Sequence, residues 1–142
     1  MAGRNVFGDD LELCGVDPVT GFYRDGQCTS GPRDFGGHTV CAVVTKEFLE
    51  HQRQHGNDLI TPRPEMAFPG LRPGDAWCVV AIRWREAYEA GCAPPVRLRA
   101  TNALALQVIP AEWLMEHAVD APNDLSSLLG PADSPDGPSP TV

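Results

Sequence analysis

Two apolar, β-branched runs, HTVCAVVT over 38–45 and AWCVVAIRW over 76–84, constrain this chain most. Neither shows a polar face, so both read as central, buried strands. In the second, alternation sets Trp77, Val79, Ala81 and Arg83 on one face and Cys78, Val80, Ile82 and Trp84 on the other. Each run carries a cysteine near its middle, Cys41 or Cys78, and each follows a long segment without periodic apolar pattern.

Those segments are the second constraint. Residues 17–37 open with the turn signal DPVTG and continue as a glycine-rich loop carrying Arg24, Asp25, Cys28, Arg33, Asp34 and His38 at its edge. Residues 56–75 contain prolines at 62, 64, 69 and 73. Proline fixes backbone dihedrals and leaves less entropy to lose, so this loop is expected to be ordered without regular structure. Loops of such length in a small domain are often functional.

The remaining elements are short. Thr45 is placed to cap a helix over KEFLEHQRQHG, with Phe48, Leu49 and Gln52 inward and Gly56 at its end. REAYEAG reads as a helical turn or two closed by Gly91. APPVRLRATNAL contains a third strand in which Val96, Leu98 and Ala100 alternate with Arg97, Arg99 and Thr101, and LQVIP a fourth. PAEWLMEHAV is a closing helix with Trp113, Leu114 and Ala118 toward the core. Residues 120–142 are proline-rich and acidic and are expected to be a disordered tail behind a single domain over 1–119. The fold class expected is α+β: a small, mainly antiparallel central sheet, two or three short helices and two long ordered loops.

Composition narrows the function. With 19 acidic against 11 basic residues and a net charge of −8, the chain offers no basic stripe for phosphate backbones, so no nucleic-acid partner is expected. No apolar run approaches the ~20 residues of a membrane span. The first residues, MAGRNVFGDD, lack a secretory apolar region, so a cytoplasmic protein with reduced thiols is expected. The five cysteines are odd in number, which argues against a pure disulfide framework. No C-x-x-C pair exists to seed a zinc site, and a site built from His38, Cys41, Cys14 and Cys28 would draw on scattered positions. Neither metal nor cofactor is therefore expected. His51 and His55 lie one helical turn apart without a completing metal-site motif, and read as a solvated face.

The chemistry-bearing residues gather in the two loops. Cys28 lies near Arg24, Arg33 and His38, groups that lower a thiol pKa, and Cys41 follows His38 by three positions. The candidate catalytic set is Cys28, Cys41 and His38, oriented by Asp34 or Asp17. Arg24 and Arg63 suit an anionic group on a substrate, with Tyr23, Asp58 and Trp77 completing a small-molecule pocket. Two alternatives stand beside this small-molecule enzyme: a non-catalytic metabolite- or protein-binding module with structural cysteines, and a metal-binding protein. The sequence assigns no oligomeric state.

The stretches DPVTGFYRDGQC, GPRDFGGHTVCAVVTKEFLE, GNDLITPRPEMAFPGLRPGDAWCVVAIRWREAYEAG and APPVRLRAT resemble the bacterial DUF2237 family over roughly residues 4–118. The resemblance implies a small stand-alone α+β domain and carries no mechanism with it. Cys14, Cys28, Cys41, Cys78 and His38 fall on positions resembling the family pattern. Cys92 and Asn102 depart from it, a histidine being expected at 102, and the acidic tail lies outside it.

Overall fold

The computed structural model describes residues 3–34, 37–66 and 68–120. The tail expected beyond Asp120 lies outside the described residues. The architecture is α+β, with two antiparallel strands, β1 (His38–Val43) and β2 (Ala76–Val80), and three helices, α1 (Lys46–Gln54), α2 (Ala81–Glu89) and α3 (Ala111–Glu116).

The strands pair Cys41 with Cys78, Ala42 with Trp77 and Val43 with Ala76, and the register shifts between His38 and Val40. Alternation then divides the sheet. Val40, Ala42, Trp77 and Val79 join the main core with Phe48, Trp84, Leu98, Ile109 and Leu114, while Cys41 and Cys78 join a smaller cluster with Cys14, Cys28 and Ala100. Both faces are covered, as the unbroken apolar runs require.

The outer edges of this two-stranded sheet are closed by loop groups rather than by more strands. Thr20 Oγ1 accepts the Cys78 amide at 2.7 Å, and Thr101 Oγ1 accepts the Cys41 amide at 3.1 Å. A buried backbone N–H needs such a partner, and a buried threonine hydroxyl supplies it as well as a neighbouring strand would. The Arg97 amide donates to the Cys41 carbonyl at 2.8 Å.

α1 matches its expected limits. Thr45 Oγ1 accepts the Phe48 amide at 3.1 Å, and Phe48, Leu49 and Gln52 are buried. Four other expectations need correction. The second apolar run does not remain extended to Trp84: the chain turns helical at Ala81, and Ala81, Trp84 and Ala87 form the buried face of α2. Ala, Arg and Glu from 81 onward are good helix formers, and the three-residue spacing of these buried positions outweighs two-residue alternation. The third expected strand shrinks to Val96, bridged to Ala42 and Ala118, followed by a 3₁₀ turn over Leu98–Ala100. Its in–out alternation holds from Val96 to Ala100, with Val96, Leu98 and Ala100 buried and Arg97 and Arg99 exposed, and breaks at Thr101, which was expected outward and is buried. Asp120 fixes that turn, each carboxylate oxygen accepting one amide, from Leu98 at 2.6 Å and Arg99 at 3.0 Å. Asp120 thus belongs to the folded body, although the sequence put it first in the tail. The fourth expected strand is a 3₁₀ helix over Ala103–Gln107, whose Leu104 amide donates to Asn102 Oδ1 at 2.9 Å.

Candidate functional site

The long loops meet at one cleft of about 290 Å³. Arg24 comes from the first loop and His38 from the start of β1. Asn57, Asp58, Leu59, Arg63, Met66 and Phe68 come from the second, and Trp77 from β2. Phe68 and Trp77 pack at 5.1 Å between ring centroids and give the cleft an aromatic wall.

His38 is held by Asp34. The histidine Nδ1 lies 2.6 Å from Asp34 Oδ1, and the His38 backbone amide donates to Asp34 Oδ2 at 2.8 Å. The Gly37 amide donates to Oδ1 at 3.1 Å and the Ser30 hydroxyl to Oδ2 at 3.2 Å. Asp34 is fully buried at its side chain, while His38 remains 30% exposed. A carboxylate so desolvated is tolerable because every oxygen is hydrogen-bonded. Its acceptor oxygen on Nδ1 also selects the tautomer, leaving Nε2 as the free nitrogen. Phe22 packs against the imidazole at 5.5 Å.

Arg24 is held in an unusual backbone geometry. Its φ is 55°, a left-handed conformation uncommon for a residue with a Cβ. The turn is made possible at Gly21, where φ is 101° and a Cβ would collide with the Gln27 carbonyl oxygen. Arg24 Nη1 donates to the Gly21 carbonyl at 2.6 Å, and the guanidinium lies 5.2 Å from the Trp77 ring centroid. Its buried Nε has no hydrogen-bond partner among the described residues. No carboxylate of the described residues lies within 4.0 Å of the Arg24 or Arg63 guanidinium.

The second loop is organised by Asp58. Oδ1 accepts the Ile60 and Thr61 amides at 2.9 and 3.1 Å, and Oδ2 accepts the Thr61 hydroxyl at 2.7 Å. The Thr61 hydroxyl bond, then the two amide bonds, hold the Asp58 carboxyl below its ordinary range. Asp58 is thus a turn-forming residue at the cleft rim. Arg63 and Phe68 bracket the next turn through backbone bonds of 2.7 and 3.1 Å.

Of the residues singled out from sequence, the structure brings Arg24, His38, Asp58, Arg63 and Trp77 together, with Asp34 directly behind His38. Asp17 is exposed and outside the cleft lining. Tyr23 is 49% exposed and packs edge-on against Phe22 instead of lining the cleft. The sequence reading missed Leu59 and Met66, apolar residues of the second loop that no local pattern singles out.

The cysteines require the largest correction. They are not free thiols: Cys14 is bonded to Cys41 and Cys28 to Cys78, and all four are buried. Cys28 is 0% exposed, so its arginine-rich sequence neighbourhood does not make it an accessible thiolate. The odd cysteine count is accounted for by Cys92, which is free. Asn102, standing where a histidine was expected, is buried and donates through Nδ2 to the Cys28 carbonyl at 3.0 Å. His51 in α1 and His55 at its C-terminal cap stack at 4.1 Å, away from the cleft lining. No described helix is long and apolar enough to cross a membrane.

No curated protein matches this chain. A family model described as an uncharacterized protein conserved in bacteria matches residues 4–118, which take in the two loops, the sheet and all three helices. The chain therefore belongs to the DUF2237 family of uncharacterized bacterial proteins.

Proposed function

We infer that this protein is a small-molecule enzyme performing general acid–base chemistry on an anionic metabolite. The observation carrying this reading is the 2.6 Å Asp34–His38 contact on the wall of a cleft that also holds two guanidiniums without carboxylate partners among the described residues. With Asp34 on Nδ1, His38 Nε2 accepts a proton from substrate or water, and the buried carboxylate stabilises the resulting imidazolium. The same nitrogen then returns the proton to the product. Arg24 and Arg63 supply charge for a carboxylate or phosphate, while Phe68 and Trp77 supply apolar surface. The disulfide-bonded Cys28 and Cys41 have no thiolate to contribute as nucleophiles.

The strained Arg24 backbone and its Nε, unpartnered among the described residues, support the same reading, because strain and unmet donors concentrate where ligands bind. The net charge of −8 weighs against nucleic acid as the partner.

The test is calorimetry against mono-, di- and tricarboxylates and phosphorylated metabolites, followed by NMR detection of proton exchange or turnover. A ligand is expected whose binding weakens about tenfold or more in Arg63→Met. His38→Gln should retain binding and lose about a hundredfold or more in rate. Binding without exchange or turnover would leave a metabolite-binding module. No binding across the panel would overturn the reading.

A further inference from the structure

The four bonded cysteines sit in one cluster, not at two separate staples. Cys41 and Cys78 face each other across the sheet, and Cys14 and Cys28 bracket the loop that folds over that face. The loop is closed beneath them by the Cys14 amide on the Gly26 carbonyl at 2.7 Å. The sulfurs of Cys14, Cys28 and Cys78 all lie within 4.8 Å of one another, although Cys14 is bonded to Cys41. Sulfurs of different disulfides are therefore neighbours. A tetrahedral zinc–thiolate site has Zn–S bonds of about 2.3 Å, which places its sulfurs about 3.8 Å apart. Cys14 and Cys28 from the loop and Cys78 from the sheet lie near that spacing without a C-x-x-C motif, and Cys41 is brought to the same place by its bond to Cys14. The site carries two negative charges when filled, and Arg97, donating to the Cys14 carbonyl at 3.0 Å, sets a guanidinium beside it.

We propose that the reduced protein binds one thiophilic divalent cation, of which zinc is the type, through Cys14, Cys28, Cys41 and Cys78. Two molecules of a dithiol reductant open the two disulfides, deliver four electrons and four protons, and leave as their own disulfides. The cation then displaces four thiol protons and takes four thiolates. Oxidation by two molecules of a disulfide carrier reverses the balance: both S–S bonds re-form, the cation is released, and the two carriers take up four electrons and four protons from water and leave as dithiols. The fold is thus held either by two disulfides or by one metal at the same place.

The test uses the full chain, reduced anaerobically by a water-soluble phosphine, which leaves as phosphine oxide with oxygen from water. Cobalt(II) is then titrated in. One cobalt per chain is expected, with sulfur-to-cobalt charge-transfer absorption, intense tetrahedral visible bands and displacement by one zinc. Cys92→Ser should behave as wild type. Cys14→Ser should lose the tetrathiolate spectrum and bind at least tenfold more weakly. Should the reduced chain unfold alone, recovery of near-UV circular dichroism on adding cobalt or zinc supports the proposal. Four thiols that stay titratable beside equimolar cobalt, without charge-transfer absorption, would overturn it whether or not the chain stays folded.

Discussion

Asp34 holds His38 twice, through the imidazole Nδ1 at 2.6 Å and through the backbone amide at 2.8 Å, one carboxylate oxygen for each. The side chain and the backbone it hangs from are therefore fixed by one buried group. Asp34→Asn puts amide hydrogens against donors that need an acceptor. A stability loss of about 1–3 kcal/mol is expected, because donors are left buried and unpaired. Urea unfolding beside wild type measures it. An unchanged midpoint would mean that Asp34 is not the anchor of the loop.

Arg24→Gly separates function from scaffold. The change removes the bond to Gly21 and the contact with Trp77, each worth about 1 kcal/mol. It also relieves a left-handed backbone that costs a side-chain-bearing residue about 1–2 kcal/mol. The two nearly cancel, so stability should move by less than about 1 kcal/mol while anion binding falls. A melt showing a loss of several kcal/mol would identify Arg24 as a structural tie.

The Cys28–Cys78 disulfide spans 50 residues of sequence. Chain-entropy arguments for a loop of that size give about 4 kcal/mol of stabilisation. Under oxidising conditions the double substitution Cys28→Ala with Cys78→Ala should lower unfolding free energy by roughly that amount. Denaturant titration with Cys14–Cys41 verified intact is the measurement; a change near zero would deny the bond a stabilising role.

Native, oxidised protein should take up one equivalent of alkylating reagent, at Cys92. Burial first, and Glu47 second, push the Cys92 thiol above its ordinary value. Labelling should therefore be slow at neutral pH and accelerate as pH rises through the thiol range. Peptide mapping that finds Cys28 or Cys41 labelled before Cys92 would contradict the disulfide pairing.

Burial, then the neighbouring His55, hold His51 below the ordinary histidine pKa. As pH falls through the ordinary value, the unfolded chain takes up this proton before the folded one. Its contribution therefore makes stability fall with falling pH until the folded group also protonates. His51→Gln should flatten the melting-temperature profile between about pH 7.5 and pH 5 relative to wild type. A slope unchanged by the substitution would assign that pH dependence to other groups.

Local sequence determined the elements whose pattern was self-contained. The apolar run at 38–43 could only be a buried strand, Thr45 could cap α1, and Phe48, Leu49 and Gln52 share the face that packs inward. Glycine- and proline-fixed loops also pointed to the cleft, because they concentrated arginines, His38 and aromatic side chains at a few turns that had to lie on the same sheet. Alternation at 96–100 was equally legible, but whether Val96, Leu98 and Ala100 sat in a strand or a 3₁₀ turn was not. Asp120 decides that from 22 residues beyond Leu98 by taking its amide. The switch from strand to helix at Ala81 likewise depends on a surface for Trp84 and Ala87 to bury against. The cysteines show the limit most clearly. Spacing of 27 and 50 residues between partners carries no local signal, and bonding requires only that Cα atoms come within about 4–7 Å in a suitable orientation. That approach is created by the register that sets Cys41 beside Cys78 and by the loop that Thr20 ties down over them. Sequence chose the side chains; tertiary structure decided which sulfurs met.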